Sequence, residues 1–265
     1  MPTPIEILLD PISISLLGMY IFLILIEAIA PAQKQQVVKG WIPKSLFVFL
    51  CYFLLSSYLP LLWDKYLLPF QIFNLQQLHP ALSAAVAVFA FELLIYIWHR
   101  ALHQVNGLWR AFHQMHHSAE RLDTFGAFYL SPMDMIGFTF IGSLALTIVV
   151  GISPLATSWF LYITMFLVIF QHTNIRTPQW LGYFIQRPES HSVHHQQGVH
   201  KYNYSDLPIF DIIFGTFKNP KNFAAPIGLY QGSSNKVIDL LLFKDIYKSS
   251  KIQKATVPLT PKDQA

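Results

Sequence analysis

MIGFTFIGSLALTIVVGISPLATSWFLYITMFLVIFQHTNI, residues 135–175, contains no Asp, Glu, Lys or Arg. A bilayer core takes about 20 apolar residues per helical crossing. The stretch therefore reads as two crossings, 135–150 and 155–171, divided by the turn signal Gly151-Ile-Ser-Pro154. Three more apolar runs lie N-terminal to it, at 11–30, 45–63 and 81–98. Composition agrees: 53% of the 265 residues are hydrophobic and 12% charged, against about 25% charged in an average soluble domain. The expected fold is an all-α integral membrane protein of about five membrane helices with a cytoplasmic, histidine-rich helical cap.

Charge placement supplies the topology. Of 18 Lys and Arg, three lie in the loop 31–44, three between residues 99 and 134, and eleven after the fifth run. Lys65 alone falls on the other side. The positive-inside rule then puts the N-terminus outside and residues 99–134 and 172–265 in the cytoplasm. The net charge of +4 follows from this topology and implies no nucleic-acid partner. No Lys or Arg precedes the first run, which makes a poor signal-peptide n-region, so 11–30 is read as a mature helix. Glu27, near its end, is read as interfacial. The single cysteine, Cys51, excludes an intrachain disulfide and a thiolate metal site.

Histidines carry the chemistry. They form His99-Arg-Ala-Leu-His103, His113-Gln-Met-His116-His117 and His191-Ser-Val-His194-His195. Residues three and four apart share a helix face, so each box should make one ligand cluster, its first histidine paired with those that follow. Eleven histidines scattered at random would seldom form one H-x-x-H-H and almost never two. All three boxes, with His172 at the end of the fifth run, fall on one side of the membrane. His200 reads equally as a ligand or a loop residue; His79 lies on the wrong side. Glu92, two turns before His99, is an ionisable group inside a membrane helix and a functional candidate by default. Its expected task is to accept the second N–H of a ligating imidazole; the alternative is a carboxylate paired for structure alone.

Two metals with four or five protein ligands each need about eight to ten donors, the number these histidines supply. A zinc protease would carry H-E-x-x-H, whereas Arg100 follows His99. An all-nitrogen dimetal site beside lipid suits O2-dependent hydroxylation or desaturation of unactivated C–H bonds. A zinc-dependent hydrolase at the membrane face and a non-catalytic metal-binding membrane protein are the alternatives.

These residues resemble the fatty acid hydroxylase/sterol desaturase superfamily of membrane non-haem di-iron enzymes, over about half the chain. The matching segments are Glu92-x-x-x-Tyr96-x-x-His99-Arg100-x-x-His103, then Leu108-Trp109-Arg110-x-Phe112-His113-x-x-His116-His117-Ser118, then Gln171-His172-Thr-Asn174. Pro188-x-x-His191-Ser-Val-His194-His195, Asn203-Tyr204, Phe210-Asp211 and Phe214-Gly215-Thr216-Phe217 follow in the family's order. The resemblance implies a di-iron centre, O2 and reductant as cosubstrates, and a lipid or sterol substrate. It implies metal ligation by His99, His103, His113, His116, His117, His172, His191, His194 and His195. Glu92, Asn203 and Asp211 would support them. The chain departs from the family at Tyr129-Leu-Ser131-Pro132-Met-Asp134, at Phe210 in place of Trp, and at Ser205-Asp206 in place of Gly.

The expected organisation is 1–80 as N-terminal membrane helices, 81–217 as the catalytic domain and 218–265 as a basic cytoplasmic tail, loose from Lys244 on. His79-Pro80-Ala lacks the haem signature of a fused cytochrome b5, and no flavin or nicotinamide loop is present. Electrons are therefore expected from a separate transfer protein. The basic tail is read as a surface for anionic lipid headgroups rather than a dock for that carrier.

Overall fold

The computed structural model describes residues 1–247; the lysine-rich tail expected to be loose lies, beyond residue 247, outside the described residues. Helices α1 (Pro4–Leu9), α2 (Pro11–Ile29), α3 (Trp41–Leu67) and α4 (Pro80–Gln104) come first. The turn α5 (Asn106–Leu108) and the short helix α6 (Gln114–His117) follow. Then come α7 (Pro132–Ser143), α8 (Pro154–His172), α9 (Pro188–His194), α10 (Ile209–Ile213) and α11 (Val237–Leu241). The regular sheet among the described residues is one parallel pair, β1 (Phe73–Asn74) with β2 (Val150–Gly151).

Proline sets where the spans begin. Pro11, Pro80, Pro132 and Pro154 each open a helix, where a missing N–H costs nothing. The residue before each accepts a backbone N–H through its side chain: Asp10 from Ile12, His79 from Ala81, Ser131 from Asp134 and Ser153 from Ala156. Five segments are long and apolar enough to cross a bilayer: Pro11–Ile29, Trp41–Phe70, Pro80–Gln104, Pro132–Val149 and Pro154–His172. They match the five runs read from sequence, mostly within a few residues, although the second extends further at both ends. Their outer faces stay apolar, with Phe22 60%, Phe47 67% and Phe89 50% exposed. Such a surface is stable against hydrocarbon and unstable in water.

Inside the bundle, α3 packs on α7, and α8 on both α4 and α2. Aromatic rings fill the centre: Tyr20 stacks on Phe49 at 4.3 Å and Tyr52 on Phe128 at 4.7 Å. Glu27 fastens α2 to the histidine end, accepting from Thr124 N (2.7 Å), Thr124 Oγ1 (2.5 Å) and Asn174 N (3.1 Å). Helix α4 rises about 37 Å at 1.5 Å per residue, more than a hydrocarbon core of about 30 Å. Its last turns, with His99 and His103, therefore reach the boundary where the other boxes lie.

Candidate metal centre

All nine histidines singled out from sequence meet at one end of the bundle, in two adjoining groups. His99, His103, His113, His117 and His194 form one; His116, His172, His191 and His195 form the other. Within each group the donor atoms lie within 4.8 Å of one another. The groups touch through rings shared along the boxes: His117 stacks on His195 at 4.3 Å and His191 on His194 at 5.1 Å.

This corrects the expectation that each box forms a single cluster. In both H-x-x-H-H boxes the first and last histidines join one group and the middle one joins the other. At 100° per residue, positions i+3 and i+4 lie 100° apart around the axis, so adjacent histidines can face different centres. Box two is not one regular helix either: Trp109–His113 is a wide π turn leading into α6.

Backbone and carboxylate acceptors aim the rings. His99 Nδ1 lies 2.7 Å from Tyr204 O, His194 Nδ1 2.7 Å from Tyr202 O, and His172 Nδ1 2.7 Å from Val168 O. His113 Nδ1 lies 2.8 Å from Asp134 Oδ2. Carbonyl and carboxylate oxygens only accept, so in each ring Nδ1 carries the proton and Nε2 keeps its lone pair. Yet His99 Nε2 and His113 Nε2 face each other at 2.9 Å. A proton shared between the two rings or a metal ion bound by both would satisfy this pair. In the second group His172 Nε2 lies 3.2 Å from His116 Nε2 and 3.1 Å from His191 Nε2, which is 3.1 Å from His195 Nε2. Nitrogens bound side by side on one ion, at bond lengths of about 2.0–2.1 Å, stand about 2.9–3.2 Å apart at angles near 90–100°. Nε2 of His103, His117 and His194 is buried without a partner. The residues fit a pair of metal ions.

Burial, followed by neighbouring imidazoles, holds His116, His117, His191, His194 and His195 well below the usual histidine range. They are neutral at physiological pH, the form that ligates. His200 stands outside both groups; its Nδ1 is 3.1 Å from His117 Nδ1. Burial lowers it to about 4. His79 caps α4 at the opposite end.

Glu92 does not reach an imidazole. Seven residues give the same face but about 10 Å of axial offset from His99. Its Oε2 instead accepts from Ser205 Oγ (2.8 Å), Asp206 N (2.8 Å) and Leu207 N (3.2 Å). Asp211 accepts from Tyr204 N, Ser205 N and Thr216 Oγ1, while Asn203 donates to Ser190 O and Lys218 O. All three thus brace the loop whose Tyr202 and Tyr204 carbonyls orient His194 and His99. Sequence reasoning missed Asp134 as an imidazole partner. The signal was present in Ser131-Pro132-x-Asp134, a helix start that puts an acid beside box two.

A cavity of about 610 Å3 leads from the histidines into the bundle. His99, His113, His116, His172 and His191 line its inner end; Phe53, Phe91, Phe128 and Phe160 are among its walls; Pro2 and Asp10 border it at the far end.

The family model described as fatty acid hydroxylase matches residues 84–216, the stretch that carries all nine histidines. The chain belongs to the fatty acid hydroxylase family. Among curated proteins it is 29% identical over 144 residues to a very-long-chain aldehyde decarbonylase of Oryza sativa subsp. indica, covering 51% of this chain and 54% of that one. It is 29% identical over 135 residues to a sphinganine C4-monooxygenase of Arabidopsis thaliana, covering 49% and 52%. It is 28% identical over 160 residues to a lathosterol oxidase of Homo sapiens, covering 58% and 50%. The chain spans about half the length of the curated relatives it matches. No solved structure matches it.

Proposed function

We propose that the chain is an O2-dependent oxidoreductase that hydroxylates or desaturates a membrane lipid or sterol at a pair of iron ions. The reading is carried by two adjoining groups of histidine nitrogens, nine in all, at the inner end of an apolar cavity. His99, His103, His113, His117 and His194 would hold one ion, and His116, His172, His191 and His195 the other. Bound there, the ions would supply the oxidising power that an unactivated C–H bond demands of O2. The protein does the positioning. Asp134 and the carbonyls of Val168, Tyr202 and Tyr204 fix tautomer and ring direction, and outer acceptors of this kind are worth 10–100-fold in metal affinity. The cavity's aromatic walls hold hydrocarbon against the histidines and keep water away.

The names of two relatives, a sphinganine C4-monooxygenase and a lathosterol oxidase, support lipid oxidation. Electrons come from a separate transfer protein. Every described Lys and Arg except Lys65 belongs to the histidine end of the chain's topology, which supports a cytoplasmic centre and an N-terminus across the membrane.

Metal analysis of the purified chain, with isotope-labelled O2 supplied to membranes, tests the proposal. Two irons per chain, with label in the product or O2-dependent desaturation, is the expected result. Zinc with turnover in the absence of O2 would replace it with a hydrolase.

A further inference from the structure

The cavity opens at the end away from the metal centre. Of the side chains that line it, those exposed at the surface are Pro2, Glu6, Asp10 and Leu161. The first three flank or belong to α1, whose lead-in is held to α3 by Tyr58 Oη donating to Pro2 O at 2.8 Å. Leu161 stands eleven residues before His172 on α8, about 16 Å along the axis. The five histidines at the inner end are no more than 7% exposed. The cavity is thus a blind tube whose mouth faces the side of the membrane opposite the histidines.

Polarity changes along it. Glu6, Asp10, Ser13, Ser57 and Asp64 stand at the mouth, and the rings of Phe53, Phe91 and Phe128 further in. The inner wall's donors are spent within the protein. Thr139 and Thr164 hydroxyls donate to Met135 O and Phe160 O of their own helices, and Gln171 Nε2 donates to Asp206 Oδ1 at 2.5 Å. Along α8 the lining runs from Thr157 to His172, fifteen residues or about 22 Å. With C–C bonds of about 1.5 Å a zigzag chain advances about 1.25 Å per carbon, so about sixteen to eighteen carbons fill that depth.

We infer that the substrate is a long chain that enters this mouth with its apolar end leading, is oxidised within a few carbons of that end, and leaves its polar end at the mouth. This rests on the proposed function, since it names the position attacked at the same centre. In hydroxylation there, a C–H bond becomes C–OH with one atom of O2, and the other leaves as water with two electrons from the carrier and two protons. With the apolar end leading, the polar end stays among carboxylates and hydroxyls that water reaches. With the polar end leading, that end is stripped of water as it passes the phenylalanine rings, which offer no hydrogen bond in exchange. Hydrocarbon would then be left against Glu6, Asp10 and Asp64. Gly142 of α7 lines the route beside Phe91, and a Cβ there meets nothing closer than Phe91 Cε2 at 4.0 Å. A larger side chain at this position projects into the tube.

The test is photolabelling of the full chain, as purified with its metal, in nanodiscs of zwitterionic lipid and without reductant, so that no turnover occurs. The probe is a straight primary alcohol of about sixteen carbons, matched to the tube's depth, with a diazirine either at its apolar end or beside its hydroxyl. Peptide mass spectrometry should find the apolar-end label at Phe138 and Val168, and the hydroxyl-end label at Ser13, Ser57 and Thr157. The reverse pattern, or both labels at both ends alike, overturns the inference, and this arm needs no variant.

Gly142→Phe should abolish capture at Phe138 and Val168, both of this probe and of one about half as long, because each must pass residue 142. Capture of the shorter probe there, by a Gly142→Phe protein with wild-type unfolding temperature, would mean entry beside the histidines and also overturn the inference. With reductant and O2 added, the new hydroxyl or double bond should lie within a few carbons of the apolar end; oxidation beside the hydroxyl defeats it. A chain that holds the probe as described but never oxidises it would leave this inference intact and defeat the proposed reaction.

Discussion

Replacing Asp134 with Asn should weaken one of the two metal groups and spare the other. Asp134 Oδ2 lies 2.8 Å from His113 Nδ1, and the two side chains are 0% and 2% exposed. Its Oδ1 is buried without a partner, so an amide placed there gains no compensating bond. Loss of a carboxylate behind a ligating imidazole lowers metal affinity by roughly 10–100-fold, or about 1.4–2.7 kcal/mol. His113 belongs to the five-histidine group alone, while His116, His172, His191 and His195 have no contact with Asp134 in the hydrogen-bond network. A titration of metal-free protein with ferrous iron against a competing chelator should resolve one weakened site and one unchanged site. Fold stability should drop only slightly, because the lost charge in the first turn of α7 is worth about 0.3–1 kcal/mol. Equal weakening of both sites, or of neither, would refute the division of the boxes between two centres.

Three further outcomes follow from the same geometry. His172→Ala should reduce iron from two ions per chain to one and abolish product formation; retention of two ions would remove His172 from the centre. His200→Ala leaves all nine donors but frees His117 Nδ1, so elemental analysis should find the five-histidine site weakened about tenfold rather than lost, and complete loss would make His200 a ligand. Glu27→Leu deletes three hydrogen bonds joining α2 to Thr124 and Asn174. It should cost roughly 2–4 kcal/mol of stability, seen as a lower unfolding temperature in detergent, and an unchanged temperature would show that those bonds are replaced.

The five spans were legible because the evidence for them is local. Apolar runs give the length, and the Asp-Pro, His-Pro and Ser-Pro pairs mark four of the starts. The three histidine boxes were legible too, since i, i+3 and i+4 spacing gathers the histidines within each box, although only packing of the separate helices brings the boxes together. Their partition was not. Helical period states that His116 and His117 diverge by 100°, but which centre each faces depends on where α4, α8 and α9 stand. Glu92 misled for a related reason: seven residues restore the face while moving the carboxylate about 10 Å along the axis. The Asp206–Gln171 bond joins residues 35 apart, and nothing in either stretch announces it.

Box three contributes to both groups: His194 to one, His191 and His195 to the other. If the two groups each hold an ion as proposed, neither cage would be complete during synthesis until residue 195 had been made and the helices had packed. Until then the bundle would rest on its own packing, including the Tyr20–Phe49 and Tyr52–Phe128 stacks and the Glu27 hydrogen bonds, and metal uptake would come last.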